Sequence, residues 1–193
     1  MKRLCVFSGS SFGANAAYEE GAKALGRELA KRGIGVVYGG GSVGLMGVMA
    51  DAALLADGEV IGVIPEVLMG KEVDHKGLAK MHVVKSMHER KALMAELSDG
   101  FIALPGGWGT FEELFEVLTW SQLGLHRKPC GILNAGGYYD KLLEFLDHAV
   151  SEAFVRRENA QMYVVGVSPG DLIDRMAEWD PPTVTKWITR SQT

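Results

Sequence analysis

Seven short runs of apolar or β-branched residues, at positions 3–7, 34–38, 60–64, 82–84, 101–104, 130–133 and 163–167, punctuate the chain without clean alternation of apolar and polar positions. A strand with one wet face alternates; a strand covered on both faces does not. Between these runs, residues 14–32, 44–56, 86–97, 110–123, 138–152 and 169–179 repeat their apolar positions at helical spacing. Strand and helix taking turns predict an α/β fold: a doubly wound, mostly parallel, Rossmann-like sheet of about seven strands. One domain is expected over residues 1–180, with a C-terminal tail over 181–193 beginning at Pro181-Pro182. Ligands of such sheets sit beyond the carboxyl ends of the strands.

Composition narrows the class. Of 193 residues 47% are hydrophobic and 23% charged, the balance of an ordinary globular domain, and no stretch has the length of a membrane span. Lys and Arg number 20 against 24 Asp and Glu, a formal charge of −4, so no global field draws nucleic acid or anionic lipid. Any anion site must be local. Cys5 and Cys130 both fall inside apolar runs and read as buried thiols of a reducing, cytoplasmic compartment. The five histidines lack ligand spacing, so no metal is expected. Glycine is the one departure: 25 of 193, about 13% against about 7% in average proteins.

Two loops hold many of those glycines. Tyr38-Gly39-Gly40-Gly41-Ser42-Val43-Gly44 follows the second strand and opens a helix, with Gly39, Gly41 and Gly44 at dinucleotide-fingerprint spacing. That fingerprint belongs after the first strand, with an acid about 20 residues on at the end of the next strand. Glu59 has the distance but stands at a strand's beginning. The loop is therefore read as a turn with close helix-to-sheet packing, in which Gly40, Gly41 and Ser42 remain candidates for a phosphate or ribose contact. The second loop, Pro105-Gly106-Gly107-Trp108-Gly109-Thr110, leads from a strand into an amphipathic helix. Amides without side-chain cover at a helix start can hold a phosphate. Thr110 followed by Glu113 also has the spacing of a capping box, a purely structural alternative.

Arg90 carries a different signal. At 100° per residue it falls in the middle of the apolar stripe that Met87, Leu93, Met94 and Leu97 make on their helix. A guanidinium there either meets an anion or snorkels out past the helix start. Both routes put positive charge near the carboxyl end of the sheet. Trp120 lies on the Glu113 and Glu116 side of its helix, where covering a partner subunit is the favoured reading.

Met87-His88-Glu89-Arg90-Lys91, the Pro105 to Glu113 loop, the triple glycine at Gly39 to Gly41 and the Leu118-Thr119-Trp120 stretch, taken together, closely resemble the Lonely Guy family. Its members are cytokinin riboside 5′-monophosphate phosphoribohydrolases, often mislabelled lysine decarboxylases. The resemblance implies that Arg90 and Glu113 are catalytic. It further implies that Lys91, Gly106, Gly107, Trp108, Gly109, Thr110, Glu72 and Thr119 bind the nucleotide. Trp108 occupies the motif's variable position. The implied reaction is hydrolysis of an N-glycosidic bond in an adenine-type nucleoside 5′-monophosphate, with no cofactor, by a homodimer. A nucleotide or molybdopterin carrier of similar fold, and a pyridoxal-phosphate decarboxylase, are the competing readings.

Overall fold

The structure is a computed structural model, and it describes residues 1–69, 75, 77, 78 and 80–182. The expected alternation is present along all of that length. Strands β1 (Arg3–Phe7), β2 (Gly35–Tyr38), β3 (Val60–Pro65), β4 (Lys80–Val84), β5 (Gly100–Ala103), β6 (Cys130–Leu133) and β7 (Tyr163–Gly166) interleave with six helices. These are α1 (Ala16–Lys31), α2 (Gly44–Leu54), α3 (Met87–Glu96), α4 (Trp108–Gln122), α5 (Asp140–Ser151) and α6 (Pro169–Glu178). The strands form one sheet in the order β4-β3-β2-β1-β5-β6-β7. Every pairing is parallel, so the sheet is more uniform than expected.

Both faces are covered, which explains why the strands did not alternate. Leu4, Val6, Val36, Tyr38, Ile102 and Leu104 pack against α1, α2 and α6. Cys5, Phe7, Val37 and Phe101 face α3 and α4, and Ala103 and Ile132 face α4 and α5. Cys5 and Cys130 are buried free thiols. β4 departs from the expectation: His82 and Val83 are exposed because this strand is the sheet's edge.

The order of the strands fixes where a ligand can enter. The chain winds outward from β1 to β4, then returns to the other side of β1 to lay down β5. The switch point lies between β1 and β5, and the loops leaving those two strands diverge to open a crevice. At the opposite, amino end of the sheet, Arg3 (2.8 Å) and Lys80 (2.5 Å) clasp Glu59 and hold its carboxyl near a pKa of about 2. Glu59 is thus a structural ion-pair partner far from the crevice, which removes the acid that a dinucleotide reading needs.

Candidate active site

The crevice is built by two loops. Residues 9–13 leave β1, and Pro105, Gly106 and Gly107 leave β5; with Tyr18, Leu45 and Tyr138 they line a cavity of about 270 Å³. Tyr138 donates its hydroxyl to the Gly106 carbonyl, and Tyr139 donates to the Leu104 carbonyl at 2.6 Å, so a tyrosine pair buttresses the second loop from behind. Both tyrosines follow the short turn at residues 135–137.

The start of α4 is open. Gly107 is the residue preceding the helix, and no side chain caps it. The first intrahelical bond runs from the Phe111 amide to the Gly107 carbonyl at 3.0 Å, which leaves the amides of Trp108, Gly109 and Thr110 without helical partners. This overturns the capping-box alternative: Thr110 lies inside the helix, and Glu113 sits in the second turn, too far along to reach back to the start. Gly107 and Gly109 have open space where a side chain would stand, so the amides are accessible to an anion. Trp108 is 87% exposed and meets Phe111 edge-on at 6.4 Å.

The start of α2 behaves in the opposite way. The amides of Leu45 (3.0 Å) and Met46 (3.4 Å) donate to the Gly9 carbonyl, so this helix mouth is filled from within the protein. Gly44 makes the approach possible: its φ is +57°, and a β-carbon there would lie 2.3 Å from the backbone of Ser10 and Ser11. Gly40 and Gly41 are buried beneath this arrangement, Ser42 is exposed, and Gly40 accepts a backbone bond from His75 at 2.9 Å. The fingerprint-like spacing therefore serves packing.

Between α3 and α4 lies the charged part of the site. Lys91 reaches Glu112 at 2.5 Å and Glu116 at 2.9 Å, so the ammonium expected to meet a phosphate is held by two carboxylates in this structure. Arg90 does not snorkel into solvent. Its guanidinium lies against the α-carbon of Gly39 at the carboxyl end of β2, with Nε buried and unpartnered, and Nη1 near the Met87 sulfur at 3.8 Å. Among the described residues no carboxylate forms an ion pair with it. Glu113 completes the set. Burial pushes its carboxyl up to a pKa of about 7; Arg90 and Lys91 pull it down, and Glu112 and Glu116 push it further up. A carboxyl poised at neutrality beside an unpaired, half-buried guanidinium is an arrangement suited to proton transfer and charge stabilisation.

Two of the expected residues stand apart from this cluster. Thr119 is on a different face of α4, donating to the Phe115 carbonyl at 2.7 Å and lining a groove of about 200 Å³ with residues of α5. Trp120 is half-buried in its own chain, packed against the core beside Phe101 and His126, and so does not form the exposed surface expected of it. Glu72 lies outside the described residues. The segment that sequence reasoning missed is Ser8 to Gly13; its signal was a Ser-Gly-Ser-Ser run directly after the first strand, where the switch point falls.

A parallel, doubly wound sheet with a cavity and an uncapped helix at its switch point defines a Rossmann-like α/β protein built to receive an anionic ligand. Residues 46–176 match the family model described as "Possible lysine decarboxylase". The chain is also 49% identical over 180 residues to the probable cytokinin riboside 5′-monophosphate phosphoribohydrolase LOGL2 of Oryza sativa subsp. japonica, covering 93% of this chain and 74% of that one. It is equally 49% identical to the cytokinin riboside 5′-monophosphate phosphoribohydrolase LOG7 of Arabidopsis thaliana, covering 93% and 83%. The chain belongs to this family, in its Lonely Guy branch. Among solved structures, the molybdenum cofactor binding protein of Rippkaea orientalis has a TM-score of 0.69 at 21% identity, covering 92% of this chain and 97% of that one. The molybdenum cofactor carrier protein of Chlamydomonas reinhardtii gives a TM-score of 0.69 at 21% identity, covering 92% and 96%. These two share the fold.

Proposed function

We propose that this protein hydrolyses the N-glycosidic bond of adenine-type nucleoside 5′-monophosphates, cytokinin riboside monophosphates among them, releasing the free base and ribose 5-phosphate. The observation that carries the reading is Glu113: a half-buried carboxyl with a pKa of about 7 beside Arg90, on the helix whose open N-terminus faces the crevice. The names of the relatives at 49% identity support it.

In this reading the amides of Trp108, Gly109 and Thr110, with the α4 dipole behind them, hold the 5′-phosphate, and Gly106 and Gly107 keep the approach clear. Binding energy from the phosphate aligns the ribose. Bond cleavage builds positive charge on the ribose and negative charge on the departing base. Ionised Glu113 takes a proton from water, whose oxygen bonds to the anomeric carbon, and steadies the oxocarbenium-like sugar. Arg90 stabilises the negative charge as the bonding pair leaves with the base, which then takes up a proton. Lys91 keeps Glu112 and Glu116 neutralised next to the reacting carboxyl. Glu72 and Thr119 retain the substrate-binding roles implied by the family, Thr119 through a dimer that brings the α4–α5 groove of one copy to the site of the other, and Gly40, Gly41 and Ser42 remain candidates for a phosphate or ribose contact. Cys5 and Cys130 as free thiols suit a cytoplasmic setting.

Incubation with AMP and with isopentenyladenosine monophosphate, followed by chromatography of the free bases, tests the activity; absence of base from both would reject it. The decarboxylase label requires a lysine that can lose its proton to form a Schiff base. Lys91 is unsuited, because burial pulls its pKa down but Glu112 and Glu116 together outweigh it and hold it above the ordinary lysine value. A carrier role rests on relatives at 21% identity and has correspondingly less support.

A further inference from the structure

Gly39 belongs to none of the groups assigned to substrate above, yet the Arg90 guanidinium rests against its α-carbon. Position 39 continues the alternation of β2, in which Val37 faces α3 and α4 while Val36 and Tyr38 face the other way. A side chain at 39 would therefore project into the space between the sheet and α3. Arg90 fills that space. A β-carbon built on Gly39 would lie 1.9 Å from Nη2, 3.0 Å from Cζ and 3.6 Å from Nε of Arg90, and the three nearest atoms all belong to that one side chain. Gly39 does not have the positive φ found at Gly40 and Gly44, so its backbone conformation is open to alanine.

We infer that Gly39 is a positioning residue for the proposed hydrolysis: by presenting a bare α-carbon it creates the seat in which the Arg90 guanidinium rests beside Glu113. The inference rests on the reading of Arg90 and Glu113 as the catalytic pair, and it names a device that the pair requires. The physical reason is an asymmetry of cost. A methyl group at 39 strains no backbone and meets only the far end of a flexible side chain, so the fold can absorb it by letting the guanidinium swing away. Catalysis cannot absorb the same swing, since misplacement of a charged group by about 1 Å can cost roughly 10²-fold in rate.

The test is a cycle of Gly39→Ala, Arg90→Ala and the double variant, read by thermal unfolding and by steady-state release of adenine from AMP. Gly39→Ala is expected to melt near the parent and to lose roughly 10²-fold in kcat with a smaller change in KM. In the Arg90→Ala background the same methyl should cost nothing further in rate or melting temperature, because the atoms it would meet are gone. Parental kcat in Gly39→Ala, or an equal loss in both backgrounds, overturns the inference. Should Gly39→Ala melt early, the double variant must melt like Arg90→Ala; if it also melts early, Gly39 is a folding residue and the inference fails.

A second readout needs no turnover. The groups that act on Glu113 are Arg90 and Lys91 from α3, Glu112 and Glu116 from α4 itself, and Cys5 from β1 below. Of these only Arg90 is displaced by the new methyl. The NMR titration midpoint of carboxyl-labelled Glu113 should therefore rise in Gly39→Ala and stay fixed when the methyl is added to Arg90→Ala. No rise overturns the inference. If the parent protein releases no base from either nucleotide while this midpoint moves as described, it is the proposed activity that has failed and the seat for Arg90 that stands.

Discussion

The amide of Gly9 donates to the carbonyl of Pro105 at 3.0 Å, joining the loop that leaves β1 to the loop that leaves β5. This bond spans the switch point of the sheet, so the two walls of the crevice are tied together at its base. One wall ends in the uncapped start of α4.

A phosphate-dependent reaction follows from that geometry. Base release from AMP should exceed release from adenosine by at least roughly 10²-fold in kcat/KM, since adenosine forfeits the charge-assisted contacts with the α4 amides. Comparing the two substrates at equal concentration checks it. Similar turnover of both would remove the phosphate from the mechanism.

Glu113→Gln separates chemistry from stability. Turnover should fall by about 10²–10⁴-fold, because the amide cannot accept a proton from water. Stability should change with pH in a specific direction. The folded-state pKa of about 7 lies above the ordinary 4.5, so the folded parent holds more protons between those values and becomes less stable as pH rises through them. Glutamine lacks this decline, so the variant should gain on the parent between pH 5 and pH 8, by no more than about 3 kcal/mol. Melting curves at the two pH values that differ by a constant offset would contradict a buried ionisation at this position.

The pH profile of kcat/KM should carry an acidic limb with its midpoint near 7, set by free-enzyme Glu113 losing its proton. Glu112→Gln removes a neighbouring negative charge and should lower that midpoint, while Lys91→Met removes a positive one and should raise it. Movement of both variants in the same direction would mean that the limb belongs to another group.

The functional unit should be a homodimer assembled through the outer stripe of α4 and its neighbour α5. Phe115 is 38% exposed and Phe145 61% exposed, and the groove between the two helices is lined by Leu118, Leu146 and Val150. Light scattering should give twice 20.9 kDa, and Phe115→Glu should yield monomers with reduced activity. A fully active monomer would sink both the dimer and the place given to Thr119.

The fold was legible because a parallel sheet covered on both faces writes itself as unalternating apolar runs separated by helical periods. Even the boundaries of β1 and β6 matched the expected ones. Arg90 was legible for a related reason: a charge inside an apolar stripe is conspicuous on a helical projection. The arrangements that escaped are those made by backbone and by contacts between distant segments. The Gly9 carbonyl that fills the mouth of α2 has no signature in a one-dimensional spacing rule. The capping-box spelling at Thr110 and Glu113 was misleading because the helix begins earlier, at Trp108, on glycines whose flexibility hides its start. The ion pairs of Lys91 depend on how α3 and α4 approach one another, which periodicity on either helix alone does not specify.

Because the Gly9 carbonyl occupies the Leu45 and Met46 amides at the mouth of α2 while the mouth of α4 is left unfilled, the two glycine turns differ in what they offer a ligand. In the proposed reading an incoming nucleotide meets the open helix start with its phosphate on the α4 bank of the crevice. On the other bank two of the helix-start amides, those of Leu45 and Met46, are already engaged. On the proposed reading that difference would favour entry with the anionic end toward α4, a preference set by a bond that the protein makes with itself during folding.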